Sequence, residues 1–164
     1  MELWDLYTIH RQFTGETHVR GEKLPPDRYH LVVHVWIRNS RGEYLISQRA
    51  ASRPAFPLKW ECVGGSVTAG EDSLEGALRE AKEEVGVELE PQNGFLLSST
   101  VRHQYQDIKD DWLFYYDGEI DLHNATTDEV AQSKWMTVDE IRALYDSGEL
   151  VHTLAYFFDE IAGR

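Results

Sequence analysis

Between Ser73 and Val85 the apolar residues Leu74, Ala77, Leu78, Ala81 and Val85 recur at i, i+3, i+4, i+7 and i+11, the stripe of an amphipathic helix. Asp72 with Glu75 three residues on forms a capping-box pair, and Gly86 suits a left-handed helix end, so the pattern predicts a helix over Ser73–Val85. Elsewhere the period is closer to two. It predicts strands near Leu3–Thr8, Thr14–Val19, His30–Arg38, Glu43–Gln48, Lys59–Val63, Phe95–His103, Trp112–Ile120 and Ser133–Met136. In the third of these, Leu31, Val33, Val35 and Ile37 alternate with His30, Val32, His34 and Trp36, so two histidines and a tryptophan share one face. Residues 21–28, with Pro25-Pro26, read as a connecting loop and Asn39 to Gly42 as a hairpin turn. Thr137 and Glu140 give a second capping box ahead of Ile141, Ala143, Leu144 and Tyr145, and a last helix is expected over Leu150–Ile161. Strands interrupted by one helix and closed by two more predict an α+β fold, an α/β/α sandwich around a mixed β-sheet.

The chain has 164 residues, enough for one sizeable core and too few for two ordinary ones, so a single domain over residues 1–164 is expected. No stretch of 18 apolar residues occurs and M-E-L-W-D-L-Y lacks the features of a signal peptide, which predicts a cytoplasmic protein without a membrane partner. A net charge of −13 argues against gripping a nucleic acid polymer through its phosphates, while small anionic substrates stay open. Cys62 is the only cysteine, so an intramolecular disulfide is impossible, and its place among strand residues beside Trp60 marks it as a packing residue.

Charge changes the picture most on the first helix. Glu80, Glu83 and Glu84 stand at i, i+3 and i+4 and converge on one face, while Glu71 approaches from the preceding loop. Hard divalent cations such as Mg²⁺ or Mn²⁺ prefer such oxygen sets and can bridge them to a substrate phosphate. A merely solvated acidic face is the plainer alternative. Against it, like-charged i, i+4 pairs destabilise by roughly 0.2–0.5 kcal/mol each, and the glycines at 64, 65, 70 and 86 with Arg79 fit a specified loop-helix-loop.

Gly65, Glu71, Arg79, Glu80, Glu83, Glu84, Gly86 and Val87 stand in register with the Nudix box, G-x5-E-x7-R-E-U-x-E-E-x-G-U, where U is bulky and aliphatic; only Ala81 is smaller than usual. Upstream, Pro57, Trp60 and Gly64-Gly65 resemble the family's lead-in strand, with Leu58 and Val63 departing from it. The chain thus resembles the Nudix hydrolase superfamily of MutT-like proteins. The resemblance implies the same sandwich fold and metal-dependent hydrolysis of a diphosphate linkage in a small phosphorylated substrate. It further implies Glu80, Glu83 and Glu84 as Mg²⁺ or Mn²⁺ ligands with the Gly64 carbonyl, Glu83 and Glu84 in catalysis, Arg79 orienting the glutamates, and Glu71 supporting the loop or an additional metal. Family members are often homodimers. Which carboxylate is the general base is left open; Glu129, outside the box, is a further candidate.

For substrate binding the candidates are His30, His34 and Trp36 on their shared face, with histidine bonding phosphate and tryptophan stacking on a base, together with Arg49 and Glu129. Tyr105 and Trp112 are further stacking candidates, and residues 50–58, 104–111 and 121–128 are the loops expected to select the substrate. The amino-terminal part also resembles isopentenyl-diphosphate isomerase, which shares the fold. Alignment through Trp60, however, puts Gly65 and Val67 where that enzyme's catalytic cysteine and a metal-binding histidine belong. A non-catalytic nucleotide sensor is a third reading, disfavoured by the intact glutamate set.

Overall fold

The computed structural model describes residues 1–164. In chain order the strands are β1 (Leu3–Tyr7), β2 (Phe13–Val19), β3 (His30–Arg38), β4 (Tyr44–Arg49), β5 (Trp60–Glu61) and β6 (Val63–Ser66). After helix α1 (Ser73–Val85) come β7 (Gly94–Arg102), β8 (Asp107–Tyr115), β9 (Val130–Met136) and helix α2 (Val138–Asp146). The main sheet is ordered β5-β4-β3-β8-β7, with β6 added to β3 and β9 to β4. It is mixed: β3 runs parallel to β8 from His30↔Asp107 to Arg38↔Tyr115 and antiparallel to β6 from Val32↔Ser66 to Val35↔Val63. β1 and β2 form a separate antiparallel hairpin rather than two more strands of this sheet.

The alternation along β3 divides the core in two. Leu31, Val33, Val35 and Ile37 join Ala77, Ala81 and Val85 of α1 in one apolar cluster. Trp36, from the opposite face, joins Ile141 of α2 and Leu154, Phe157 and Ile161 of the carboxy-terminal segment in the other. Both helices have the predicted caps. Asp72 accepts from the Glu75 N–H, Glu75 returns the bond, and Gly86 closes α1 at φ 70°. Thr137 and Glu140 do the same for α2.

Three sequence expectations are corrected. The strand placed at Trp112–Ile120 begins five residues earlier, because D-I-K-D-D, polar enough to read as loop, is buried strand whose charges find partners. Arg11 grips Asp110 through two bonds of 2.7 and 2.6 Å, Arg102 grips Asp107 through two of 2.8 and 2.7 Å, and Lys109 reaches Asp111 at 2.8 Å. Lys59–Val63 is interrupted at Cys62, giving β5 and β6, which pair with different strands. Leu150–Ile161 is a 3₁₀ turn at His152–Leu154 followed by a π turn at Phe157–Ile161, and not a continuous α-helix.

Candidate active site

Helix α1 carries its acids on two differently treated faces. Glu80 and Glu84 are turned inward and are 8% and 6% exposed. Glu80 rests against Gly65, where an added Cβ would lie 2.3 Å from Oε1; only a residue without a side chain leaves this carboxylate its seat. Burial first, and then the neighbouring charges of Glu83 on Glu80 and of Glu80, Glu61 and Glu129 on Glu84, push both carboxyls above the usual range, against the lowering effect of Arg79 on Glu80.

Arg79 braces this region. Its Nε and Nη2 donate to Glu71 at 2.7 and 3.0 Å, Nη2 also reaches the Ser66 carbonyl at 2.9 Å, and Nη1 bridges Glu80 at 3.0 Å and Glu83 at 2.9 Å. Glu71 accepts in addition from the Thr68 N–H at 2.9 Å. Burial opposes the Glu71 charge, but these donors outweigh it and hold the carboxyl below its ordinary range. Beyond the helix, the N–H groups of Thr126 and Thr127 donate to the Glu83 carbonyl at 3.0 and 3.2 Å, tying the loop that leads to Glu129 onto α1.

Beside the glycines opens a cavity of about 180 Å³ lined by His34, Arg49, Arg53, Glu61, Gly64 and Gly65. A wider cleft of about 360 Å³ shares His34, Arg49 and Glu61 and extends past Phe56 to Arg102 and Tyr105. Arginines therefore surround an opening whose floor residue Gly65 rests on the buried Glu80, with Glu84 next to it.

Comparison with known proteins fits this geometry. The family described as the NUDIX domain matches residues 28–157. The chain belongs to the Nudix family. A Nudix hydrolase of Listeria monocytogenes, itself described as uncharacterised, is 36% identical over 162 residues, covering 96% of this chain and 91% of the relative. The crystal structure of DR0079 from Deinococcus radiodurans superposes with a TM-score of 0.76 at 24% identity, over 99% of this chain and 100% of that one. Isopentenyl-diphosphate Delta-isomerase of Escherichia coli is 35% identical over 79 residues, but this covers only 48% of the present chain and 43% of the isomerase. The protein is a Nudix-type pyrophosphohydrolase, and its α+β fold with a mixed sheet is the one that the resemblance implies.

Of the residues expected at the Nudix site, Glu71, Arg79, Glu80 and Glu83 are joined directly through the Arg79 guanidinium. Glu84 adjoins Glu80 and lies in the fields of Glu61 and Glu129. Gly64 and Arg49 line the cavity, and Arg49 donates to Glu61 at 2.6 Å and to the Ala55 carbonyl at 2.8 Å. Glu129 is paired with Arg53 at 2.8 Å. His34 lines the cavity, whereas Trp36, two residues along the same face, is wholly buried, so it has no face free for a base. Its indole N–H donates to Tyr156 at 3.1 Å. His30 stacks on Trp4 with ring centroids 3.8 Å apart and lines only the wider cleft. Burial lowers its pKa to about 4, and its Nδ1 is sealed without a hydrogen-bond partner.

Trp112 packs on the core and donates to Ser73 at 2.9 Å, so of the two stacking candidates Tyr105, overlain by Arg102 at 4.7 Å, is the one at the cleft rim. Glu61 was not singled out from the sequence, since a lone glutamate between Trp60 and Cys62 has no periodic or motif signal. The structure shows it as the carboxylate common to the cavity and the wider cleft, its pKa raised by burial despite Arg49. Cys62 is buried, and burial pushes its thiol well above the ordinary range, as a packing residue requires.

The donor set suits a hard cation in kind: Glu80 and Glu84 are buried carboxylates with unfavourable mutual charge that Mg²⁺ or Mn²⁺ would relieve. Side chains alone form no three-membered His, Cys, Asp or Glu cage, because Arg79 stands between Glu80 and Glu83. No helix is long and apolar enough to cross a membrane.

Proposed function

We propose that this Nudix protein hydrolyses the diphosphate linkage of a nucleoside diphosphate derivative or a related small organic diphosphate, with Mg²⁺ or Mn²⁺ as cofactor. The observation that carries the reading is the buried Glu80–Glu84 pair behind Gly65 at the floor of an arginine-lined cleft. A bound divalent ion supplies charge neutralisation at the phosphates and a more acidic water. Glu80 and Glu84 would hold it together with the Gly64 carbonyl and, once released from Arg79, Glu83. Arg79 with Glu71 fixes the loop-helix junction that sets their positions. Arg49, whose Nη2 has no partner in the protein, reaches for a phosphate oxygen from the opposite wall. Glu61 and Glu129 are the carboxylates outside the box available to take the proton of the attacking water.

An isomerase of the isopentenyl-diphosphate type is disfavoured, since Gly65 and Val67 stand where its reacting groups belong and the one thiol is buried. The test is release of phosphate or nucleoside monophosphate from nucleoside di- and triphosphates, nucleotide sugars, dinucleotides and isopentenyl diphosphate, with Mg²⁺, Mn²⁺ or EDTA. Metal-dependent cleavage of one class is expected. Isomerisation of isopentenyl diphosphate, or nucleotide binding without turnover under either ion, would overturn the proposal in favour of the isomerase or the sensor.

A further inference from the structure

Behind His34 lies a buried chain of polar side chains that the proposed hydrolysis does not use. His34 Nδ1 is 2.6 Å from the Tyr156 hydroxyl, which is 2.8 Å from Asp111 Oδ1 and receives the Trp36 indole N–H at 3.1 Å. Asp111 is fully buried and also accepts from Lys109 at 2.8 and 3.0 Å and from the Ser98 hydroxyl at 2.7 Å. The Lys109 ammonium in turn sits 3.5 Å above the Tyr156 ring.

Counting protons gives one arrangement. Indole N–H and ammonium only donate, and the carboxylate only accepts. If the single Tyr156 proton pointed to His34, the phenol oxygen and Asp111 Oδ1 would face each other at 2.8 Å with no proton between them. The proton therefore goes to Asp111, the phenol oxygen accepts from Trp36 and from His34, and every short contact holds one proton. His34 must carry its proton on Nδ1. Its other nitrogen, Nε2, makes no bond within the protein and is not sealed, and the ring lines both cavities with its Cδ2 edge toward Gly64.

We propose that Tyr156, Asp111 and Lys109 hold His34 as the Nδ1–H tautomer, so that Nε2 accepts a hydrogen bond from a hydroxyl of the substrate's organic group. The proposal rests on the reading of the cleft as a diphosphate site. A bare nitrogen lone pair repels phosphate oxygens, which find their donors on Arg49, Arg53 and Arg102. What faces His34 is then a donor, and a sugar hydroxyl next to a diphosphate meets that demand. This reverses the expectation that His34 bonds phosphate. His34 acts here as a specificity residue, while Tyr156, Asp111 and Lys109 are positioning residues.

Two-bond ¹H–¹⁵N spectra of the ¹⁵N-histidine-labelled protein report the tautomer directly, with the His34 signals identified by their loss in His34→Leu. The expected result is a pyridine-type Nε2 and a protonated Nδ1 in the wild-type protein, relaxing to mixed tautomers in Tyr156→Phe. An Nε2–H ring in the wild type, or an unchanged Nδ1–H ring in Tyr156→Phe, overturns the relay. Affinities for ADP and for 2′,3′-dideoxy-ADP, measured calorimetrically with Ca²⁺, test the hydroxyl contact. The wild type should prefer ADP about five-fold, the range of one neutral hydrogen bond, and His34→Leu should bind the two equally. Equal affinities in the wild type, or none for either, overturn that contact. Absence of turnover with tautomer and preference intact would instead count against hydrolysis alone, because neither readout requires chemistry.

Discussion

Arg79 holds Glu71 side-on, through Nε at 2.7 Å and Nη2 at 3.0 Å, and the same Nη2 reaches the Ser66 carbonyl at 2.9 Å. Residues eight apart in sequence are thereby locked across the loop that delivers the helix to its site.

Glu71→Gln removes the charge from this fork and leaves a guanidinium among fewer acceptors. Turnover should fall by about one to two orders of magnitude and stability by about 1–3 kcal/mol, the cost of an under-satisfied, partly buried ionic bond. Parallel kinetics and urea melts check this; unchanged kinetics would remove the brace from the mechanism.

Glu84→Gln should separate activity from stability. The buried Glu84 charge is opposed by burial and by Glu80, so without metal its removal relieves repulsion. In EDTA the variant should melt at or above the wild-type temperature, while its turnover with Mg²⁺ falls by at least about 100-fold. A lower melting temperature in EDTA would show that the repulsion does not govern this pair.

His30 predicts a pH dependence. Its folded pKa, lowered by burial to about 4, lies below the ordinary 6.5. Above pH 6.5 the ring is neutral in both states and stability is complete. Between 6.5 and 4 the unfolded chain takes up a proton that the folded chain refuses, so stability falls with pH by up to about 3 kcal/mol. His30→Phe keeps an aromatic ring on Trp4 and does not titrate. Urea denaturation at pH 7 and pH 4.5 should show a smaller loss in the variant, and an equal loss would contradict the assignment.

Arg11 fastens the amino-terminal hairpin to the main sheet through the wholly buried Asp110, which also accepts from Ser99. Arg11→Met strands that carboxylate and should destabilise the fold by about 3 kcal/mol, with Asp110→Asn added to it recovering part of the loss. A double-mutant cycle from chemical melts measures this, and a single-variant loss below about 1 kcal/mol would mean the pair is not coupled to folding.

What the sequence disclosed and what it concealed follow from the range of the interactions. α1 was legible to its last residue because its apolar stripe, its Asp72–Glu75 box and Gly86 are all local. The β3 faces were legible because two-residue alternation survives in any sheet. The start of β8 was hidden because its charges are neutralised by Arg11, Arg102 and Lys109, and the Arg11 partner is 99 residues away. Trp36 shares its strand face with His34, but whether that face meets solvent is decided by Tyr156 and Phe157 from the other end of the chain. Glu61 escaped notice because a lone glutamate carries no pattern of its own, and its partner Arg49 comes from the neighbouring strand β4, 12 residues earlier. The box residues are named by their spacing, but spacing does not say that Arg79 inserts between Glu80 and Glu83, which depends on side-chain conformation.

The bonds from Thr126 and Thr127 to the Glu83 carbonyl give the cleft two sides of different make. One side is helix and loop bonded together, and it carries Glu80, Glu83, Glu84 and Glu129. The other is rimmed by Ala55, Phe56 and Tyr105, the two aromatics about half exposed and none of the three fastened to that helix. The side chains of these three residues can therefore be exchanged, and the choice of entering molecule with them, without touching the bonds that seat Glu80 and Glu83 on Arg79.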